Sequence, residues 1–147
     1  MTSFSFESML ATTELFGQLS HEEIGPFAAK SQLQTFEAGQ VITRQGDLGT
    51  GLYVITEGSV DVVHDRGEPS ETQVATLKEG DFFGDLALLL ERPRGASVVA
   101  REFTKCLVLV RWDFKDLALE SPKVLWAMLE VVAGRLTDTD QPIEHNL

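Results

Sequence analysis

Glycine residues divide the middle of the chain into short apolar runs, and this pattern restricts the fold more than any other feature. Between residues 33 and 110 the runs are rich in Val, Ile, Leu and Phe, and the glycines between them include Gly39, Gly46, Gly49, Gly51, Gly58, Gly67 and Gly80. Such runs, bounded by turn residues, are typical of β-strands. Turns about every eight to twelve residues suit a barrel or a roll. We therefore predict a mainly β fold over about 33–110, with an exposed hairpin loop at 64–71.

Helical signals precede the predicted strands. Ser20 followed by Glu23 is a capping-box pattern, which opens a helix that runs to about Lys30. A short helix is also predicted from Met9 to Phe16, whereas residues 1–7 are expected to be loose. The N-terminal helices are thus placed at about 8–30.

Helical signals return after the strands. Asp113 is expected to cap a short helix over Phe114–Leu119. Ser121 is expected to cap a second one, with Pro122 at its first position, where the missing N–H costs nothing. The second helix carries an apolar stripe formed by Leu125, Met128, Leu129, Val132 and Leu136, with Trp126 and Ala133 on a flank. The C-terminal helices are placed at about 113–136 and a frayed tail at 137–147.

Composition fits a single domain over residues 1–147. The chain is 43% hydrophobic, enough for one core, and its net charge of −11 argues against a nucleic-acid surface. No apolar run approaches the length of a membrane span, and the N-terminus lacks a signal-peptide layout. The lone Cys106, expected in the core, forms no internal disulfide, which fits the cytoplasm. The three histidines lack metal-ligand spacing and no catalytic arrangement stands out, so neither a metal site nor an enzyme is expected.

Residues 82–98 carry the chemistry that points to a ligand. Gly84 opens a short apolar helix with Asp85 in its first turn, and Arg94 follows about nine residues later, ahead of three small residues. A helix N-terminus and an Arg guanidinium both suit a phosphate, and small residues let a ligand approach the backbone. Asp85 is placed to accept hydrogen bonds from sugar hydroxyls. A phosphate and a ribose held by one loop indicate a nucleotide.

The same segment resembles the phosphate-binding cassette of the cyclic-nucleotide-binding domain family. The family pattern is Phe-Gly-Glu-(Leu/Ile)-Ala-Leu, a spacer, then Pro-Arg-(Ala/Ser/Thr)-Ala-(Thr/Ser)-Val. The matching residues are Phe83, Gly84, Leu86, Ala87, Leu88, Pro93, Arg94, Ala96, Ser97 and Val98. Two positions depart from it, because Asp85 stands where the family has Glu, and Gly95 where it has Ala, Ser or Thr. The likeness extends from about Leu15 to about Leu136.

The resemblance implies both a fold and a site. The fold is a double-stranded β-helix (a jelly-roll or β-roll) with short N-terminal helices, a cassette helix and C-terminal helices. The implied ligand is a cyclic nucleotide, cyclic AMP favoured over cyclic GMP, with no further cofactor. The implied ligand-binding residues are Phe83, Gly84, Asp85, Leu86, Ala87, Arg94, Gly95, Ala96 and Ser97. Arg94 is expected to be a partly exposed loop residue that acts through its charge.

Three functions are compatible with this sequence. The first is a non-enzymatic sensor module without its own effector, which binds cyclic nucleotide, draws its C-terminal helix over the base and acts on a separate, unknown partner protein. Homodimerisation through that helix is an accompanying expectation. The second is a β-roll that has lost nucleotide binding and serves protein interaction or dimerisation; the Asp85 departure favours it. The third, a trimmed transcription regulator, is opposed by the acidic charge and by the absence of a DNA-reading segment.

Overall fold

The computed structural model describes the backbone of residues 2–137 and the side chains of 6–85 and 89–134. The helices in chain order are α1 (Thr2–Ala11), α2 (His21–Lys30), α3 (Asp85–Leu90), α4 (Arg111–Leu119) and α5 (Pro122–Thr137). The strands are β1 (Gln32–Phe36), β2 (Val41–Thr43), β3 (Gly51–Glu57), β4 (Ser59–His64), β5 (Thr72–Lys78), β6 (Phe82–Phe83), β7 (Ser97–Ala100) and β8 (Thr104–Val110).

The strands form two four-stranded antiparallel sheets. One sheet has the order β1-β8-β3-β6 and the other has the order β2-β7-β4-β5. An interior cluster takes residues from both sheets, among them Ile55, Val62, Phe83, Val98 and Cys106. The predicted mainly β fold, a roll with flanking helices, is confirmed.

The first sheet is covered on both of its faces. In β8, Cys106 faces the interior of the roll, whereas Leu107 and Leu109 join a second cluster formed with the helices. This alternation follows from the two-residue period of a strand and explains why the run around Cys106 is apolar throughout. Burial raises the pKa of the Cys106 thiol to about 12.

The prediction for the first helix was wrong. The structure has α1 over Thr2–Ala11 rather than a loose start followed by a helix over Met9–Phe16. The hydroxyl of Thr12 donates to the carbonyl of Met9, and that of Thr13 to the carbonyl of Leu10. Such bonds from hydroxyls to nearby carbonyls compete with helix continuation, so the chain turns at this point. The capping box of Ser20 and Glu23 on α2 is confirmed.

The C-terminal helices also differ in detail from the prediction. Asp113 lies in the first turn of α4 rather than before it, because β8 runs directly into a helix that begins at Arg111. On α5 the buried residues are Val124, Ala127 and Met128, while Leu125 and Val132 are only partly buried and Leu129 is exposed. Met128 of the predicted stripe is therefore in the core, Leu125 and Val132 pack at its edge, and Val124 and Ala127 are buried in addition. The predicted tail from residue 138 onward and the side chain of Leu136 lie outside the described residues.

Candidate functional site

A sharp turn at Gly84 begins the cassette, defined as residues 82–98. Gly84 has a φ of +93°, a conformation that favours glycine, and it links β6 to the six-residue helix α3. A Cβ atom at this position would lie 2.4 Å from the carbonyl oxygen of Gly51 and 3.1 Å from Nη1 of Arg94. Only glycine therefore allows the cassette to approach strand β3 this closely.

Arg94 is buried against the same strand. Its side chain is 5% exposed, and its Nη2 donates a hydrogen bond of 3.2 Å to the carbonyl of Gly51. Its guanidinium carbon lies 5.8 Å from the centroid of the Tyr53 ring, within the range of a cation–π contact. The expectation of a partly exposed Arg94 was wrong, because the cassette folds its side chain onto β3.

The turn between β2 and β3 fixes the backbone of Arg94. The amide of Arg94 donates to the carbonyl of Asp47 at 2.8 Å, and the amide of Gly46 donates to the carbonyl of Arg94 at 2.8 Å. This reciprocal pair holds the residue on both sides. The Arg94 side chain is therefore positioned by fixed backbone rather than by a mobile loop.

Arg94 and Asp85 place opposite charges in one buried region. Burial lowers the pKa of the Arg94 guanidinium, and the nearby Tyr53, Asp85 and Asp47 oppose that shift. Asp85 has no exposed surface. An arginine keeps its charge in proteins, so this region holds a fixed cation with carboxylates around it. A fixed cation with an acceptor beside it has the chemistry to hold an anion that also carries hydroxyl groups.

Comparison with known proteins identifies the family. The model of the cyclic nucleotide-binding domain matches residues 33–121, which is more than half of the chain. The chain belongs to the cyclic nucleotide-binding domain family.

Relatives of this domain include bacterial and eukaryotic regulators. The chain is 34% identical over 130 residues to the cyclic AMP receptor protein of Thermus thermophilus, covering 88% of this chain and 60% of that protein. It is 36% identical over 115 residues to the cAMP-dependent protein kinase regulatory subunit of Dictyostelium discoideum, covering 76% and 35%. The regulatory domain of Toxoplasma gondii PKA, co-crystallised with cAMP, superposes with a TM-score of 0.78 at 29% identity, covering 88% and 49%. The chain thus spans less than two thirds of the length of each of these three proteins.

The other candidate residues of this cyclic nucleotide-binding domain have different surroundings. Phe83 is buried and stacks on Tyr53 with ring centroids 4.9 Å apart, and Ala96 is buried in the interior cluster. Gly95 is half-buried. Ser97 is 6% exposed, and its hydroxyl accepts a hydrogen bond of 3.0 Å from the backbone N–H of Gln45. The side chains of Leu86 and Ala87 lie outside the described part of the chain, although both belong to α3.

Gly51 and Tyr53 were not among the residues predicted for the site. Both belong to β3, far from the cassette in sequence, and they meet Arg94 only after the roll has formed. One signal was present, because Tyr53 is the only tyrosine in the chain and its ring is a ready platform for a guanidinium. The two residues extend the site from the cassette to the neighbouring strand.

An apolar groove lies beside the cassette helix. Its volume is about 250 Å³, and its lining includes Leu89, Arg111, Phe114, Lys115, Leu119 and Leu125. Leu89 is 44% exposed and Leu119 is 65% exposed, so apolar side chains meet solvent there. Lys115 and Arg111 also line the groove, and Arg111 forms an ion pair of 3.1 Å with Glu91.

The described part of the chain offers neither a cluster of metal ligands nor a membrane-spanning helix. Within residues 2–137 no group of three His, Cys, Asp or Glu side chains is placed to hold a metal ion. In the same part of the chain no helix has the length and apolar character needed to cross a membrane.

Proposed function

We propose that this domain is a cyclic nucleotide sensor that binds cyclic AMP in the cassette and acts on a separate partner protein. The observation that carries the proposal is the buried guanidinium of Arg94, held between the Gly51 carbonyl and the Tyr53 ring. A guanidinium that is already held in position in a partly apolar site attracts an anion more strongly than the same charge does in water, because the local dielectric constant is lower. The acidity of the whole chain makes such a local positive site necessary for an anionic ligand.

Each cassette residue has a proposed role in this complex. Arg94 supplies the counter-charge of the cyclic phosphate, and Asp85 accepts hydrogen bonds from the ribose. Backbone amides near Gly84, Leu86, Ala87, Gly95 and Ala96 face the phosphate, Phe83 supports the pocket from the core, and Ser97 fixes the exit of the cassette. The Asp85 side chain is one methylene shorter than the family's Glu, so the ribose must sit nearer α3 or be reached through water.

Cyclic AMP is proposed over cyclic GMP because of the residue after Arg94. Guanine-selective members of the family often carry a Thr there, whose hydroxyl bonds the purine, whereas Gly95 has none. The relatives named for cAMP, including the domain co-crystallised with it, support the same choice.

The proposed role is regulatory rather than catalytic. Nucleotide binding would bias the position of α5, and the altered surface would be presented to the partner. We place the domain in the cytoplasm, where its buried Cys106 stays reduced. The exposed Trp126 and Leu129 on α5 support self-association through that helix as a homodimer.

Isothermal titration with cyclic AMP, cyclic GMP and 5′-AMP tests the proposal. We expect saturable binding of cyclic AMP, weaker binding of cyclic GMP and little binding of the non-cyclic nucleotide. A preference for cyclic GMP would contradict the proposed ligand, and no binding of either cyclic nucleotide would contradict the sensor role.

The second candidate function is a protein-interaction module that binds no nucleotide. The groove with its exposed Leu89 and Leu119 favours it, because contiguous exposed apolar surface often marks an interface. The same titrations distinguish the two functions, since this module would bind none of the three ligands and still fold cooperatively.

A further inference from the structure

The hydroxyl of Thr43 is buried at the end of strand β2 without a hydrogen-bond partner in the described part of the chain. The residue is 8% exposed. A threonine hydroxyl both donates and accepts, and its burial without a partner costs free energy that a methyl group in its place would not. The position therefore calls for a partner that comes from outside the described chain.

Strand pairing directs the Thr43 side chain into the roll. Thr43 lies opposite Val98 on β7, and residues directly opposite in an antiparallel pair share one face of the sheet. Val98 packs in the interior cluster together with Phe83 and Ala96. The Thr43 hydroxyl thus faces the same interior as the cassette residues.

An irregularity in β2 produces this orientation. Val41 pairs with Val99 and Thr43 pairs with Val98, so β2 has one residue more than its partner strand between these pairs. A bulge of this kind re-aims the side chains around it. Ile42 packs against the interior cluster as well, so two successive side chains of β2 contribute to the inside of the roll.

Thr43 also belongs to the segment that holds the cassette. Three residues further on, the Gly46 amide donates to the Arg94 carbonyl. Three residues of extended chain span roughly 10 Å. Thr43 thus lies within roughly 10 Å, measured along the chain, of the backbone that holds Arg94.

We propose that the Thr43 hydroxyl hydrogen-bonds the base of the bound cyclic nucleotide and contributes to the choice between bases. This inference rests on the proposed function and adds a residue outside the cassette. Because the hydroxyl donates and accepts, it can pair with a ring nitrogen, an exocyclic amine or an exocyclic oxygen on the polar edge of a purine.

Thr43→Val tests this inference, because it removes the hydroxyl and keeps the shape of the side chain. Titration of the variant should show cyclic AMP affinity reduced about tenfold, which corresponds to about 1.4 kcal/mol. The ratio of cyclic AMP to cyclic GMP affinity should change as well. Thr43→Ser keeps the hydroxyl and should bind cyclic AMP to within about threefold of the original chain. The matched control is Thr35→Val on the exposed strand β1, which should leave both affinities unchanged.

Stability and affinity together separate a ligand contact from a defect of packing. Thr43→Val should be at least as resistant to urea as the original chain without nucleotide, since an orphaned hydroxyl has been removed. Unchanged affinity for both nucleotides would overturn the inference, and so would an equal loss for both, which would place the hydroxyl at the ribose or phosphate. If the original chain binds neither nucleotide, both the proposed function and this inference are wrong. If the original chain binds cyclic AMP and Thr43→Val binds both nucleotides with the same affinities, only this inference is wrong.

Discussion

Nη2 of Arg94 donates a hydrogen bond of 3.2 Å to the carbonyl oxygen of Gly51, and this bond fastens the cassette to strand β3. The two residues are 43 positions apart in the chain. The same strand supplies the Tyr53 ring against the guanidinium. Arg94 therefore has a structural role as well as its proposed role as the counter-charge of a phosphate.

Arg94→Ala should abolish nucleotide binding and also destabilise the fold. The Gly51 carbonyl loses a donor inside a buried region, which costs about 1–3 kcal/mol. Titration measures the binding, and urea denaturation measures the free energy of unfolding. Arg92→Ala, an exposed arginine two positions earlier in the same loop, is the matched control and should leave the stability unchanged. Undiminished nucleotide affinity in Arg94→Ala would remove this residue from the phosphate site.

Gly84→Ala should lower the free energy of unfolding more than Gly67→Ala does, although both variants place an alanine at a positive φ. Gly67 has a φ of +86° and open space around its Cβ position, so Gly67→Ala carries the strain alone, about 1–2 kcal/mol. At Gly84 the added Cβ also meets the Gly51 carbonyl at 2.4 Å, so the backbone itself must move. Urea denaturation of both variants measures the difference. Equal losses of stability would show that the cassette and β3 separate easily.

Asp85→Glu should tighten cyclic nucleotide binding and weaken the unliganded fold. The added methylene returns the carboxylate to the reach of the family's Glu and recovers about 1–2 kcal/mol of ligand contact. Because Asp85 is fully buried, the extra volume costs about 1–3 kcal/mol of stability without ligand. Asp85→Asn keeps the size and removes the charge, and it should bind more weakly than either. Weaker binding by Asp85→Glu would mean that the pocket is fitted to aspartate.

Asp65 should contribute stability that depends on pH. Hydrogen bonds from Gln45 and Ser70 lower the pKa of the Asp65 carboxyl. A carboxyl whose pKa is lower in the folded state stabilises the fold above its unfolded pKa, about 3.9, and loses that contribution as the pH falls through the folded value. Asp65→Asn does not titrate, so it should be less stable than the original chain at pH 7, and the gap should narrow toward pH 3. Urea midpoints at the two pH values measure this. A gap that is the same at both would contradict the prediction.

Local sequence signals were sufficient where the interacting residues are neighbours. The capping box of Ser20 and Glu23 depends on four consecutive residues, and the predicted strands depend on short runs between turns. The first helix was misplaced for a similarly local reason, since the hydroxyls of Thr12 and Thr13 end it before Leu15, although the apolar spacing continues.

Contacts between elements that are distant in sequence determine which face of α5 is buried and where the Arg94 side chain lies. Apolar residues on α5 form two adjacent stripes with the same spacing, and packing against the other helices buries Val124 and Met128 while it leaves Leu129 exposed. The burial of Arg94 depends on Gly51, which no local pattern connects to the cassette. The cassette was therefore predicted from the sequence, whereas the contact of Arg94 with strand β3 was not.

Helix α5 should become more protected from hydrogen exchange when cyclic nucleotide binds. The helix runs from Pro122 to Thr137, and among its described side chains the fully buried ones lie between Val124 and Met128, whereas Val131 and Val132 are only partly buried. A segment with few fully buried contacts opens at low free-energy cost. A ligand-driven lid must be drawn from such a segment. Exchange measured with and without cyclic AMP over 122–137 tests this, with strand β5, which pairs only with β4, as the internal control, where protection should stay the same. If protection rises in the cassette while that of α5 is unchanged, the helix is not the lid. The structural change on nucleotide binding is then confined to the cassette.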